Sequence, residues 1–179
     1  MDSLEVEVKL RVRGGSENLA KLLSSLGYTA VSDEVQRDTY FSHPCYDFSK
    51  RDEALRLRVS NGRAVLCYKG PRQPSRVKKR LEIEVVVSDV LSIAKMLEAL
   101  GFKELACVEK RRRVFKKENT TVALDEVKGL GLFIEIEAPS EDAVLEAMRE
   151  LGFSEKDVVN ETYLELVLKS RKPSNIDSE

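Results

Sequence analysis

Glutamates stand in pairs, one residue apart, at three places: Glu5 and Glu7 in LEVEVKLRV, Glu82 and Glu84 in RLEIEVVV, and Glu135 and Glu137 in LFIEIEA. Side chains of an extended segment alternate between two faces. Each pair therefore shares a face, and the aliphatic neighbours take the other. The same parity puts Lys9 and Arg11 with Glu5 and Glu7, and Arg80 with Glu82 and Glu84. It sets Arg56 and Arg58 opposite Leu55, Leu57 and Val59, places Lys110 with Arg112, and alternates Lys69 and Asp125 with apolar residues. Such faces are either solvated or line a charged cavity. Clustered carboxylates repel one another without a cation, and hard oxygen donors suit Mg²⁺ or Mn²⁺. Arginine and lysine match phosphate oxygens through charge-assisted hydrogen bonds. A dry interior holds so many charges only if they are paired and hydrogen-bonded. A wet tunnel that binds a polyanion with divalent cations holds them readily.

The elements that must position these residues follow from periodicity and caps. Strands are expected at Leu4–Arg13, Glu34–Ser42, Ala54–Ser60, Arg63–Lys69, Arg80–Val87, Phe102–Lys116, Val122–Glu126 and Leu132–Ala138, with Asn61-Gly62 as a two-residue hairpin signal. Helical stripes run through Leu19, Leu22, Leu23 and Leu26, through Val90, Ile93, Ala94, Leu97 and Leu100, and through Val144, Ala147, Met148 and Leu151. Ser16, Ser88 and Ser140 are the expected N-caps. A short last helix is expected at Glu161–Lys169. Each helix has one apolar stripe to bury, and the aliphatic strand faces are the available partners. Helices therefore pack outside; if the eight antiparallel strands curl and close into a barrel, an α+β fold and the one the family resemblance given below implies, the charged faces line its inside. Residues 1–170 read as one domain and 171–179 as a flexible tail.

With 179 residues and a formal net charge of -1, general attraction to a nucleic acid duplex or an anionic membrane is not expected. No run of ~18 apolar residues suggests a membrane span, and the acidic start does not read as a signal peptide. Cys45, Cys67 and Cys107 are odd in number and lack metal-site spacing, so reduced thiols in a cytoplasmic protein are expected.

The ordered set Glu5-x-Glu7-x-Lys9, Gln36-x-Asp38-x-Tyr40-Phe41, Glu53-Ala54-Leu55-Arg56-x-Arg58, Tyr68-Lys69-Gly70-Pro71, Arg80-x-Glu82-x-Glu84, Lys110-x-Arg112, Leu124-Asp125-x-Val127-x-Gly129-Leu130-Gly131 and Glu135-x-Glu137 resembles the CYTH superfamily, the triphosphate tunnel metalloenzymes. The segment from His43-Pro44 to Asp47-Phe48 is closest in look to stand-alone class IV adenylyl cyclase-like members. The resemblance implies a divalent-metal enzyme, with Mg²⁺ or Mn²⁺, acting on a triphosphate such as ATP, tripolyphosphate or thiamine triphosphate, and a homodimer. ATP conversion to cyclic AMP is the leading expectation. Triphosphate hydrolysis is the alternative, and non-catalytic binding of nucleotide or polyphosphate is a third. By resemblance, the metal ligands are Glu5, Glu7, Glu82, Glu84, Asp125, Glu135 and Glu137. The triphosphate residues are Lys9, Arg56, Arg58, Lys69, Arg80, Lys110 and Arg112, and Glu5, Glu7, Lys9 and Asp125 take catalytic roles. Gln36 and Asp38 contribute to the tunnel wall or support it. The single histidine, His43, is expected in a structural or surface role, and the basic loop Gly70–Lys79 is a candidate lid.

Overall fold

The structure, a computed structural model, describes residues 2–171; the expected tail beyond Arg171 lies outside the described residues. In chain order the elements are β1 (Asp2–Arg11), α1 (Ser16–Ser25), β2 (Thr29–Ser42), β3 (Ala54–Ser60), β4 (Arg63–Lys69), β5 (Lys78–Val87), α2 (Val90–Ala99), β6 (Lys103–Lys117), β7 (Thr120–Val127), β8 (Gly131–Glu137), α3 (Glu141–Glu150) and α4 (Tyr163–Arg171). The strands close into a barrel in the order β1-β5-β4-β3-β2-β6-β7-β8. Every pairing is antiparallel, and β1 against β8 completes the ring through Lys9↔Glu135.

Closure puts the aliphatic faces outside. Val6, Val8 and Leu10 of β1, Val122 and Leu124 of β7, and Ile134 and Ile136 of β8 pack beneath Leu23 of α1 and Val144, Ala147 and Met148 of α3. On the other flank Leu97 of α2 packs on Phe41, Leu57 and Ala64. The main hydrophobic core thus lies between barrel and helices, and the barrel interior is left to charge. Helix α4 is placed differently. Tyr163 and Val167 pack against Tyr40, Val108, Val127 and Phe133, which strand parity turns inward, so α4 lies across one end of the barrel. The backbone leads it there: Val159 N–H donates to the Lys9 carbonyl at 2.8 Å. Among the described residues no helix is long and apolar enough to cross a membrane.

Local chemistry explains several boundaries. The β3–β4 turn holds Asn61 and Gly62 at φ 47° and 75°, as a primed two-residue hairpin needs. Ser140 caps α3 as expected, but α2 is capped by Asp89 rather than Ser88: its carboxylate accepts from Leu91 N–H at 3.0 Å and Ser92 N–H at 3.1 Å. Gly15 takes the cap position of α1, and Ser16 is its first residue. Strand β2 begins at Thr29 because the long β6 pairs with it from Lys116 onward.

Candidate functional site

The barrel interior encloses a cavity of about 380 Å³. Strand parity brings to its wall Glu5, Glu7 and Lys9 from β1, Arg56 and Arg58 from β3, Lys69 from β4, Arg80, Glu82 and Glu84 from β5, Lys110 and Arg112 from β6, and Glu135 and Glu137 from β8. Thirteen of the fourteen candidate residues therefore meet around one space. Asp125 does not reach it. It is fully buried in the wall, where it accepts from Lys110 Nζ at 2.9 Å, Arg112 Nε at 2.7 Å and the Tyr163 hydroxyl at 2.8 Å. Arg11, one step further along β1, lies at the barrel end over the Phe133 ring and donates to the Leu130 carbonyl. Gln36 is buried and donates to Glu34. His43 packs on Phe102 beside the Leu100 carbonyl, away from the cavity.

The carboxylates fall into two groups. In the first, basic partners prevail over burial. Asp38 receives both Nε and Nη2 of Arg58 at 2.7 Å, with Arg56 at 3.9 Å. Burial would raise its proton affinity, but the Arg58 bond and the two guanidinium charges hold it well below the usual carboxylate range. Glu135 is likewise held low against its burial, by Arg112, Lys9 and Lys110, and Asp125 by Arg112 and Lys110. Glu82, gripped by Lys69, is lowered as well. The second group is Glu5, Glu7 and Glu137. Burial pushes all three up, and the charges of neighbouring glutamates add to it. Glu7 and Glu137 stand directly opposite one another on β1 and β8. Like charges directly opposite destabilise a sheet unless something neutralises them. Lys69 at 3.2 Å from Glu5 and Lys78 at 3.9 Å from Glu7 offset this only in part, and carboxylate oxygens are hard donors of the kind divalent cations take.

Among the described residues, the one set of three donors converging within 4.8 Å is Cys67, Glu82 and Glu84. Its surroundings suit a cation less well. Burial pushes the Cys67 thiol up to about 11, Lys69 occupies Glu82, and Arg56 lies 3.6 Å from Glu84.

The cations carry the complementary signal. Arg56 and Arg80 are buried, line the cavity, and each has a guanidinium nitrogen with no hydrogen-bond partner, Nε of Arg56 and Nη2 of Arg80. A buried donor left unsatisfied costs free energy, and an anionic oxygen in the cavity would satisfy both. Taken over the whole lining, ten carboxylates face eight cationic side chains. A polyanion therefore enters favourably only together with added positive charge.

The wall also holds residues that lay outside the sequence reading, among them Lys78, Asp52 and Tyr163. Lys78, 3.9 Å from Glu7, is pushed down to about 8, by burial first and then by the charge of Lys9. Beginning β5 two residues earlier would have put it on the face of Arg80. Asp52 approaches Arg80 at 3.7 Å from the irregular connection. Tyr163 lies beneath Lys9, whose Nζ is 3.8 Å from the ring centre. The sequence gives a helix there but no sign of where it docks. The loop after β4 is clamped rather than loose. Arg72 holds Asp52 at 2.8 Å and the Asn160 carbonyl at 3.2 Å, and Arg76 pairs with Glu141 and Asp142 of α3.

A closed antiparallel barrel whose inner faces carry opposed carboxylates and guanidinium donors without hydrogen bonds defines a charged tunnel. The CYTH domain family model matches residues 3–163, and the chain belongs to the CYTH family. It is 36% identical over 172 residues to MJ0240 of Methanocaldococcus jannaschii, provisionally named an adenylate cyclase, covering 91% of this chain and 98% of that protein. The solved structure of PH1819 from Pyrococcus horikoshii is similar with a TM-score of 0.81 and 39% identity, covering 93% of this chain and 99% of that one. HpAC1 from Hippeastrum, a candidate adenylyl cyclase described as having a dominant triphosphatase activity, shares the fold with a TM-score of 0.69 at 20% identity, over 93% of this chain and 96% of that one.

Proposed function

We propose that this protein is a divalent-metal-dependent enzyme acting on a triphosphate, with conversion of ATP to cyclic AMP and pyrophosphate as the first reading. The observation that carries it is the pair of buried arginines, Arg56 and Arg80, each with a guanidinium nitrogen that makes no hydrogen bond, lining a cavity that also holds carboxylates whose proton affinity burial raises. Lys9, Arg56, Arg58, Lys69, Arg80, Lys110 and Arg112 hold the phosphate oxygens along the tunnel, and Lys78 joins them. Glu5, Glu7 and Glu137 hold Mg²⁺ or Mn²⁺, with Glu82, Glu84 and Glu135 beside them. The bound cation supplies neutralisation of charge on the phosphoryl oxygens. Asp125 acts from within the wall by fixing Lys110 and Arg112. Catalysis is then mainly positioning and electrostatic stabilisation. In the cyclase reaction the ribose 3′-hydroxyl attacks the α-phosphorus and gives its proton to water. The bond from that phosphorus to the bridging oxygen breaks, and pyrophosphate leaves. A second reading, attack of water on the terminal phosphorus to release orthophosphate, is supported by the activity described for HpAC1 on the same fold.

The test is a panel of ATP, tripolyphosphate and thiamine triphosphate with Mg²⁺ or Mn²⁺, with products followed by phosphorus NMR. Pyrophosphate with cyclic AMP supports the first reading, and orthophosphate supports the second. Glu5→Gln is expected to lower turnover on the order of 100-fold or more while triphosphate binding persists. Tight binding with no turnover of any of the three compounds by the wild type would replace both readings with a non-catalytic binder.

A further inference from the structure

The arginines and lysines of the cavity are held in different ways. Arg58 and Arg112 are gripped as forks by the carboxylates of Asp38, Asp125 and Glu135. A lysine carries its charge at the end of a flexible four-carbon stem and has no planar fork to fix it. Lys9, Lys78 and Lys110 come from β1, β5 and β6, and all three are met by one short stretch of chain at the start of α4. The Glu161 carbonyl accepts from Lys9 Nζ at 3.3 Å and from Lys78 Nζ at 3.4 Å. The Tyr163 ring lies under the same Lys9 and also under Lys110, whose Nζ is 4.7 Å from its centre. Carboxylates reach these lysines as well: Glu135 at 3.3 Å from Lys9, Glu7 at 3.9 Å from Lys78 and Asp125 at 2.9 Å from Lys110. The carbonyl and the ring differ from those in being neutral. They attract an ammonium group without cancelling its charge, so the charge stays available to a phosphate oxygen.

The stretch is itself fixed. Thr162 and Glu165 form a capping box at the first turn of α4: Thr162 N–H donates to the Glu165 carboxylate at 2.5 Å, and Glu165 N–H donates to the Thr162 hydroxyl at 3.1 Å. Tyr163 is buried, donates its hydroxyl to Asp125 at 2.8 Å and meets Phe133 edge-on, with 5.3 Å between ring centres. A ring pinned in this way does not follow the lysines; the lysines settle on it.

We propose that Tyr163 is a positioning residue of the triphosphate site: its ring sets where the Lys9 and Lys110 ammonium groups stand, and the Glu161 carbonyl beside it does the same for Lys9 and Lys78. This rests on the triphosphate reading above. It adds that three of the lysines lining the cavity are placed by the helix that crosses the barrel end, not only by the strands that carry them.

Calorimetric titration of tripolyphosphate in the presence of Mg²⁺ tests it. Tyr163→Leu removes the ring but keeps an apolar side chain, and is expected to weaken binding roughly tenfold. Tyr163→Phe keeps the ring and is expected to retain most of the wild-type affinity. In a Lys9→Ala background Tyr163→Leu is expected to cost clearly less than in the wild type, because one of its two ammonium partners is already gone. No loss with Tyr163→Leu, equal losses in the two backgrounds, or Tyr163→Phe binding as poorly as Tyr163→Leu overturns the assignment. A wild-type measurement needs no variant at this position: ring current is expected to move the ε-methylene protons of Lys9 and Lys110 upfield of the other lysines in the NMR spectrum, and ordinary positions overturn the assignment too. Wild-type protein that binds no tripolyphosphate overturns the triphosphate reading itself.

Discussion

Asp38 and Glu7 line the same cavity and respond to acid in opposite senses. Asp38 is held below its ordinary value of 3.8, so its ionised form stabilises the fold above that value. That contribution is lost as pH falls through the lowered folded value. Replacing Asp38 with Asn leaves Arg56 and Arg58 without their buried counter-charge and is expected to cost about 3–5 kcal/mol at neutral pH. The gap between wild type and D38N should narrow as pH drops towards about 2, because the wild type loses the same interaction. Urea midpoints for both proteins across that range check this; a constant gap would contradict it. Glu5, Glu7 and Glu137 work the other way, since their raised values make the ionised state costly until positive charge joins them. Parity along single strands was enough to list these residues. It could not separate the two groups, because the difference lies in which guanidinium groups reach which carboxylate from neighbouring strands. Asp125 shows this most plainly. Its alternation with Leu124 was legible, but its withdrawal into the wall between Lys110, Arg112 and Tyr163 depends on a helix almost forty residues away in sequence, and local pattern carries no trace of it.

At the level of the element, short helices here depend on their first turn. Helix α2 spans ten residues, a length that is marginal in isolation. Its start is fixed by one carboxylate that accepts two backbone N–H groups and the Ser92 hydroxyl at 2.6 Å. Asp89→Ala is expected to cost about 1 kcal/mol, whereas Ser88→Ala should be nearly neutral. Chemical denaturation of the two variants side by side decides the matter. Ser88 and Asp89 are both good capping types, so composition alone could not choose between them. The choice is made by which residue is extended with its side chain turned back over the next turn. Strand β5 shows the reverse case. Its regular alternation extends to Lys78, but Pro71 and Pro74 just upstream suggested a loop that ended later than it does.

For the molecule as a whole, the sequence carried the closed barrel because alternation was clear on nearly every strand and one face was ionic throughout. The closing of one end by α4 was not legible, because a stripe of apolar residues does not say which surface receives it. Inverting the usual arrangement has an energetic consequence. Buried ion pairs add little net stability against their desolvation, so the aliphatic layers under α1, α2 and α3 must stabilise the fold. It also has a kinetic one. Antiparallel pairing around a ring that joins the first strand to the last makes most contacts distant in sequence. Refolding from urea is therefore expected in milliseconds to seconds. Stopped-flow fluorescence tests this, and full recovery in microseconds would contradict it.

The seam between β1 and β8, with Tyr163 beneath Lys9, carries one more implication. Glu5 and Glu7 are translated well before their neighbours Glu135 and Glu137. A nascent chain therefore holds half of a binding surface with nothing opposite it. The cavity lining is complete only once β8 has been made, and a gene split anywhere between those two strands leaves neither fragment with the whole of it.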